Sequence, residues 1–309
     1  MNYVKPGMLN TIISSGSLRI DIALGRGGFP VGTIVEISGA QSSGKTTLCQ
    51  HTLAEAQNLG KLCAWIDADR TLSGDFAKRC GVKVGEILYC EPETTEQALD
   101  TLLTLAKSGA VKLIVLDSLP ALTPGQEIVG QISSPAEKLN QELLSEILTS
   151  LSNAISAAGV TVLITNQYTA GMATTYHLLA ENPQRLSLKL HANIRIRLSN
   201  IQQLIIGSQV IGEKFQARIL KNAYYPYLNS TDFDIIYSRG IHKPAEVFDL
   251  GVNVNKIQKH DGGFNCETMF LGKTPTAAIN FLEENPQVVQ VIEKEIRRIL
   301  IPKIISAAT

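Results

Sequence analysis

The octapeptide Gly39-Ala40-Gln41-Ser42-Ser43-Gly44-Lys45-Thr46 carries two glycines, a lysine and a hydroxyl at the spacing G-x-x-x-x-G-K-[ST]. That spacing suits polyphosphate chemistry. The glycines let backbone N–H groups turn inward on phosphate oxygens, and a helix starting there points its positive end at them. Lys45 is expected to reach the β and γ phosphates and the Thr46 hydroxyl to ligate Mg²⁺, with Gly39, Ser42, Ser43, Gly44 and Thr47 completing the cradle. A metal-dependent nucleotide site also needs a carboxylate, and Asp117, closing the apolar run LIVLD, stands where ligands gather at the carboxyl ends of parallel strands. Hydrolysis further requires a group that orients or deprotonates water. Asp67 and Asp69 both end the run CAWIDAD, and either carboxylate can serve, the other bonding the next turn. Asn166 and Gln167 end the run ITNQ, where an amide can touch a γ-phosphate and report its presence.

These residues need a frame that brings strand ends together. TIVEISG (33–39), KLCAWIDAD (61–69), VKLIVLD (111–117) and VTVLITNQ (160–167) are short apolar runs separated by helical patterns. Such alternation predicts parallel βαβ units with both sheet faces covered. From 190 to 237, HANIRIRLSN, FQARILKN and FDIIYS predict further strands that extend the sheet in antiparallel fashion. After about Gly240 a loop-like HKP leads into AEVFDLGVNVNKIQK, then a glycine-containing stretch, then a long helical pattern ending in IEKEIRRIL. The expected fold class is α/β, with a central, mostly parallel sheet in a core over 1–242 and a small α/β lobe over 243–309. The IEKEIRRIL ending reads as a solvated helix face.

Composition sets the outer bounds. At 309 residues, 44% hydrophobic and 18% charged, the chain can bury a sizeable core, which excludes a disordered protein. Lys+Arg and Asp+Glu are 28 each, so net charge points to no polyanionic partner, although a neutral total can hide a basic face. No apolar run reaches the ~18 residues of a membrane span, and no signal peptide is evident. Five cysteines without a CxxC pair fit reduced thiols, so a cytoplasmic location is expected. The five histidines lack metal-ligand spacing, and Trp65 is expected in the core.

The run SSGSLRIDIALGRGGFPVGTIVEISGAQSSGKTTL, followed by WIDAD, TEQALDTLLTLAKSGAVKLIVLDSLPALTP and ITNQ, closely resembles bacterial RecA recombinases. The likeness extends from about Ile13 to the C-terminal lobe, including DLGVNVNKI and FLEENPQ. It implies a RecA-like ATPase core that uses ATP and Mg²⁺, binds single-stranded DNA, and acts in recombination, DNA repair and the SOS response to DNA damage. Members assemble as filaments with ATP between neighbours. By the same resemblance Lys45, Thr46 and Asp117 match the phosphate and metal ligands. Gln167 matches the glutamine that couples the γ-phosphate to a DNA-binding loop, and Phe76 and Tyr237 match aromatic residues beside the adenine. Lys221 matches one of two lysines that reach a neighbour's nucleotide.

The chain also departs from that pattern. The family's catalytic glutamate is here Asp69, the second reaching lysine is Ala223, and the N-terminal docking helix has no counterpart, which leaves filament, ring and monomer open. The stretch 126–146 carries Glu127, Glu137, Glu142 and Glu146 against Lys138, a net −3 that suits a phosphate backbone poorly. The segment 167–225 compensates, with Arg185, Lys189, Arg195, Arg197, Lys214, Arg218 and Lys221 against Glu181 and Glu213, a net +5. With Tyr168, Met172, Tyr176 and His177 nearby it offers charge and stacking for single strands, and Tyr168, Met172, Arg185, Lys189 and Arg218 are the DNA-contact candidates. The bland alternative is that Arg195 and Arg197 line the solvated face of a strand. Two functions follow: a DNA-stimulated ATPase of recombination and repair, or an ATP-binding paralogue with weak hydrolysis that loads or regulates a recombinase or polymerase partner. An unrelated P-loop kinase would need an acceptor pocket and lid that the sequence does not show.

Overall fold

The computed structural model describes residues 11–119, 135–167, 188–260 and 262–307, the side chains of 135–144 and 303–307 excepted. In chain order the elements begin with β1 (Ile12–Ile13), α1 (Leu18–Ala23), β2 (Phe29–Pro30), β3 (Ile34–Gly39), α2 (Lys45–Asn58), β4 (Cys63–Asp67) and α3 (Gly74–Arg79). They continue with β5 (Ile87–Cys90), α4 (Thr95–Ser108), β6 (Leu113–Asp117), α5 (Pro135–Ala158) and β7 (Thr161–Gln167). Next come β8 (Ile194–Ile206), β9 (Gln209–Asn222), β10 (Ser230–Ile236), β11 (Gly240–Ile241) and α6 (Lys243–Asn253). The last are β12 (Ile257–His260), β13 (Gly263–Cys266), β14 (Met269–Gly272), α7 (Pro275–Glu284) and α8 (Pro286–Ala307).

One nine-stranded sheet has the order β11-β10-β9-β8-β3-β7-β6-β4-β5. From β8 to β5 every pairing is parallel, whereas β8–β9, β9–β10 and β10–β11 are antiparallel. The mostly parallel sheet expected from the Val/Ile/Leu-rich runs is therefore present. Alternation along each buried strand feeds two cores. Leu113 and Val115 of β6 pack with Leu48, Leu53 and Trp65 beneath α2. Ile114 and Leu116 face Leu99, Leu102, Leu151 and Ile155 of α4 and α5. Parallel register then aligns the strand ends: Gly39 lies opposite Gln167, and Asp67 opposite Asp117. The four carboxyl ends that carry the candidate residues meet on one edge.

A second, antiparallel sheet, β12-β13-β14, packs with α6, α7 and α8 around Val247, Phe264, Leu282 and Ile296. Leu18 and Ile22 of α1 join that cluster, so this small core draws on the beginning of the chain. Two local expectations change here. HKP is not loop-like throughout: Lys243 and Pro244 open α6, where a proline at the first helical turn lacks only an N–H that would have no partner. Nor is IEKEIRRIL simply a solvated face. Arg297 Nη2 meets Asp21 at 2.5 Å and Glu293 at 2.7 Å, and Nη1 donates to the Gly27 carbonyl at 3.0 Å. Lys243 bridges Glu55 at 2.8 Å and Glu293 at 3.2 Å, and Ser17 Oγ donates to buried Glu246 at 2.7 Å. A seam of mutually paired charges thus joins α1 and α2 to α6 and α8. No helix among the described residues is long and apolar enough to cross a membrane.

Candidate nucleotide site

The loop after β3 is built by backbone conformation before any side chain contributes. Gly44 caps α2 at φ +85°, and Ser42 adopts φ +58°, so the chain winds through the left-handed region just before the helix. A Cβ on Gly39 would lie 2.2 Å from Ser43 Oγ and 2.7 Å from the Leu198 carbonyl oxygen, so only glycine fits there. Lys45, 9% exposed, lays its Nζ back on the loop and donates to the Ala40 carbonyl at 2.7 Å and the Gly39 carbonyl at 3.3 Å. Among the described residues Ser43 Oγ is buried with no hydrogen-bond partner.

Thr46 Oγ1 donates to Asp117 Oδ2 at 2.7 Å, which joins the first turn of α2 to the end of β6. Thr165 Oγ1 donates to the other Asp117 oxygen. Burial lifts the Asp117 carboxyl above its ordinary range; the Thr165 and Thr46 hydrogen bonds oppose this, while Asp69 and Asp67 reinforce it. Burial likewise pulls Lys45 below the usual lysine range, against the attraction of Asp117 and Asp69. A cation and an anion are each held at a loss of solvation in one small volume.

The two aspartates after β4 part company. Asp67 accepts from the N–H groups of Thr71 at 3.3 Å and Leu72 at 3.0 Å, and from the Tyr89 hydroxyl at 3.0 Å, so it secures the following turn. Asp69 accepts from Ser118 Oγ at 3.0 Å and lines the cleft with Lys45, Thr46, Asp117 and Gln167. Of the two, Asp69 is the one that lines the cleft. Ser118 and Thr165, which hold the two carboxylates, escaped sequence reasoning; Thr165 shares a strand face with Gln167 two residues on, and that alternation was the available signal.

The cleft at Asp69 measures about 560 Å³ and adjoins another of about 490 Å³ that shares Ser42, Lys45, Thr46, Thr47 and Phe76. Tyr237 lines the second, with its hydroxyl donating to Glu213 at 3.0 Å. The structure therefore gathers Ser42, Ser43, Gly44, Lys45, Thr46, Thr47, Asp69, Phe76, Asp117, Gln167 and Tyr237 around one continuous hollow. Lys221 stands apart, on β9 opposite Arg195, with Nζ donating to the carbonyls of Lys189 and Leu190 at 3.4 Å each. Lys189 and Arg218 are exposed, whereas Tyr168, Met172 and Arg185 lie outside the described residues. Arg195 is not a solvated strand residue: it pairs with Glu36, which is 1% exposed.

The RecA N-terminal domain family matches residues 7–242. Proteins named Protein RecA from Brucella canis and Brucella suis biovar 1 are each 37% identical over 286 residues, covering 93% of this chain and 79% of theirs. The chain belongs to the RecA family. Membership makes it an ATP-dependent recombinase of homologous recombination and DNA repair, and does not favour the reading as a loader or regulator of a partner. The loop after β3 and the ends of β4, β6 and β7 share one edge of the sheet.

Proposed function

We propose that this RecA-family chain hydrolyses ATP at the carboxyl edge of its sheet and couples that cycle to single-stranded DNA. The observation that carries the reading is the convergence of Lys45, Thr46, Asp117 and Asp69 on a hollow whose Ser43 hydroxyl is buried and unpartnered among the described residues. Mg·ATP fits this donor set: the loop N–H groups and Lys45 take phosphate oxygens, Thr46 and Asp117 take the metal, and Phe76 and Tyr237 flank the base. When bound, Mg²⁺ neutralises phosphate charge and polarises the γ-phosphoryl group. Asp69, oriented by Ser118, takes the proton of the attacking water, and Gln167 senses the γ-phosphate from the end of β7.

Arg197 and Arg218 are exposed cross-strand neighbours on β8 and β9, and support a basic face for the DNA backbone beside Lys189. Lys221, remote from its own chain's hollow, suits a neighbour's nucleotide, so a homo-oligomer or filament completes the site, in the cytoplasm, with 1–242 as ATPase core and 243–309 as a small lobe. The test is ATP turnover with and without single-stranded DNA, beside Lys45→Ala. DNA-stimulated turnover that vanishes in the variant supports the reading; turnover indifferent to DNA in the wild type refutes it.

A further inference from the structure

Glu36 is a buried carboxylate that does not line the nucleotide hollow. It lies in the strand that delivers the phosphate loop, three residues before Gly39, and is 1% exposed among apolar neighbours. A buried carboxylate is retained only where its partners are good, because its desolvation is expensive. Its partners are Asn166 Nδ2 at 3.0 Å and Arg195 Nε.

Those partners stand at the two ends of one stretch of chain. Asn166 precedes Gln167, the last residue of β7, and adjacent strand residues point to opposite faces. Gln167 therefore turns to the nucleotide hollow while Asn166 turns to Glu36. On the far side Arg195 is the second residue of β8, directly opposite Lys221 on β9. Lys221 Nζ in turn holds the carbonyls of Lys189 and Leu190 in the helical turn at 188–191. Burial lowers the affinity of Lys221 for its proton, Arg195 lowers it further, and Glu36 opposes both. One carboxylate thus ties the entry to residues 168–187 through Asn166, and the exit through Arg195 and Lys221.

We infer that Glu36 is a positioning residue: it links the nucleotide-sensing end of β7 to the cationic β8–β9 pair that follows residues 168–187, so that the state of the nucleotide sets the affinity for single-stranded DNA. The inference rests on the DNA-coupled reading above. It assigns the link to a charge that both flanks share, so any shift of Gln167 that drags Asn166 must redistribute the hold on Arg195. Coupling of this kind is an energy difference between two states, and is measurable as a ratio of affinities.

The experiment measures binding of a labelled oligothymidylate to the full chain with Mg·ADP and with a slowly hydrolysed ATP analogue. The variants are Glu36→Gln, Arg195→Gln and the pair together, each with its unfolding midpoint. Glu36→Gln keeps an oxygen for Asn166 but leaves the Arg195 charge unbalanced, and the double variant removes that charge as well. In the wild type the affinity ratio between the nucleotide states is expected within about 5–150-fold, the usual span of coupling between sites. In Glu36→Gln the ratio drops at least about fivefold, much more than the affinity for ATP moves. The double variant regains its unfolding midpoint and does not regain the ratio. A ratio that survives Glu36→Gln, or one that returns with the midpoint in the double variant, overturns the inference and leaves Glu36 structural. A wild type whose DNA affinity ignores the nucleotide overturns the DNA reading, and this inference falls with it.

Discussion

Lys45, buried, and Lys243, half-buried, both stand beside carboxylates, and they have opposite fates. At the seam between the large and small sheets, Lys243 contacts Glu55 and Glu293, and Arg297 contacts Asp21 and Glu293. Burial works against both cations there, yet the carboxylates prevail and hold each above its ordinary pKa. In the nucleotide hollow burial prevails instead: Lys45 is depressed and Asp117 is raised. Lys45 makes do with two loop carbonyls, and the Ser43 hydroxyl beside it has no partner among the described residues. The seam has closed its electrostatics within the chain. In the hollow the cation and the carboxylate each keep the cost of their burial.

If that contrast is right, damage at the seam costs stability and damage at the hollow costs chemistry. The largest effect is expected from Arg297→Ala, which leaves buried Asp21 without its cation and Glu293 with Lys243 alone, and should destabilise the fold by about 3–5 kcal/mol. Urea unfolding measures it, and a nucleotide titration of the still-folded variant should give nearly the wild-type ATP affinity; a parallel collapse in affinity would erase the distinction. Lys45→Ala should do the reverse, lowering turnover by roughly 10²–10³-fold, the usual loss of a group that stabilises transition-state charge. Its unfolding midpoint should stay level or rise, since a desolvated cation has gone.

Smaller changes sharpen the picture. Asp69→Glu lengthens the carboxylate by one methylene toward the water and should raise turnover, by less than the ~100-fold that a 1 Å misplacement can cost. Steady-state kinetics decides it, and a fall would mean that Ser118 has adapted the site to the shorter side chain. At the seam, burial lifts Glu246 to about 7 from its ordinary 4.5, against hydrogen bonds from Ser17 and the Arg19 N–H. The folded state therefore binds more protons than the unfolded one between those values, and stability should fall as pH rises through that window. The slope is at most about 1.4 kcal/mol per pH unit, the limit for one proton. Glu246→Gln should flatten it in unfolding curves collected from pH 4.5 to 8.

The hollow was more legible in the sequence than the seam, for a physical reason. The phosphate loop is contiguous, and its glycines, lysine and hydroxyl act through neighbouring backbone, so spacing alone exposes them. Asp117 and Gln167 could be read because parallel strands put their ends on one edge. The β1, β2, β5 and β11 strands escaped notice because two to four residues carry too little periodicity. Arg297 was misread because its partner Asp21 is 276 positions away, and helical charge spacing is the same whether a face meets water or another charged face. Glu36 and Arg195 share that difficulty: only the pairing of β3 with β8 brings them together.

The most direct test is thermal unfolding of the wild type and Lys45→Ala, each with and without Mg·ATP. A ligand that binds only the folded state stabilises it by about 2.7 kcal/mol at a hundred times its Kd. The account predicts that gain for the wild type and its loss in Lys45→Ala, whose unliganded midpoint equals or exceeds the wild type's. An unliganded Lys45→Ala that is markedly less stable, yet still gains fully from Mg·ATP, would mean that Lys45 holds the fold and the hollow does not wait for a nucleotide.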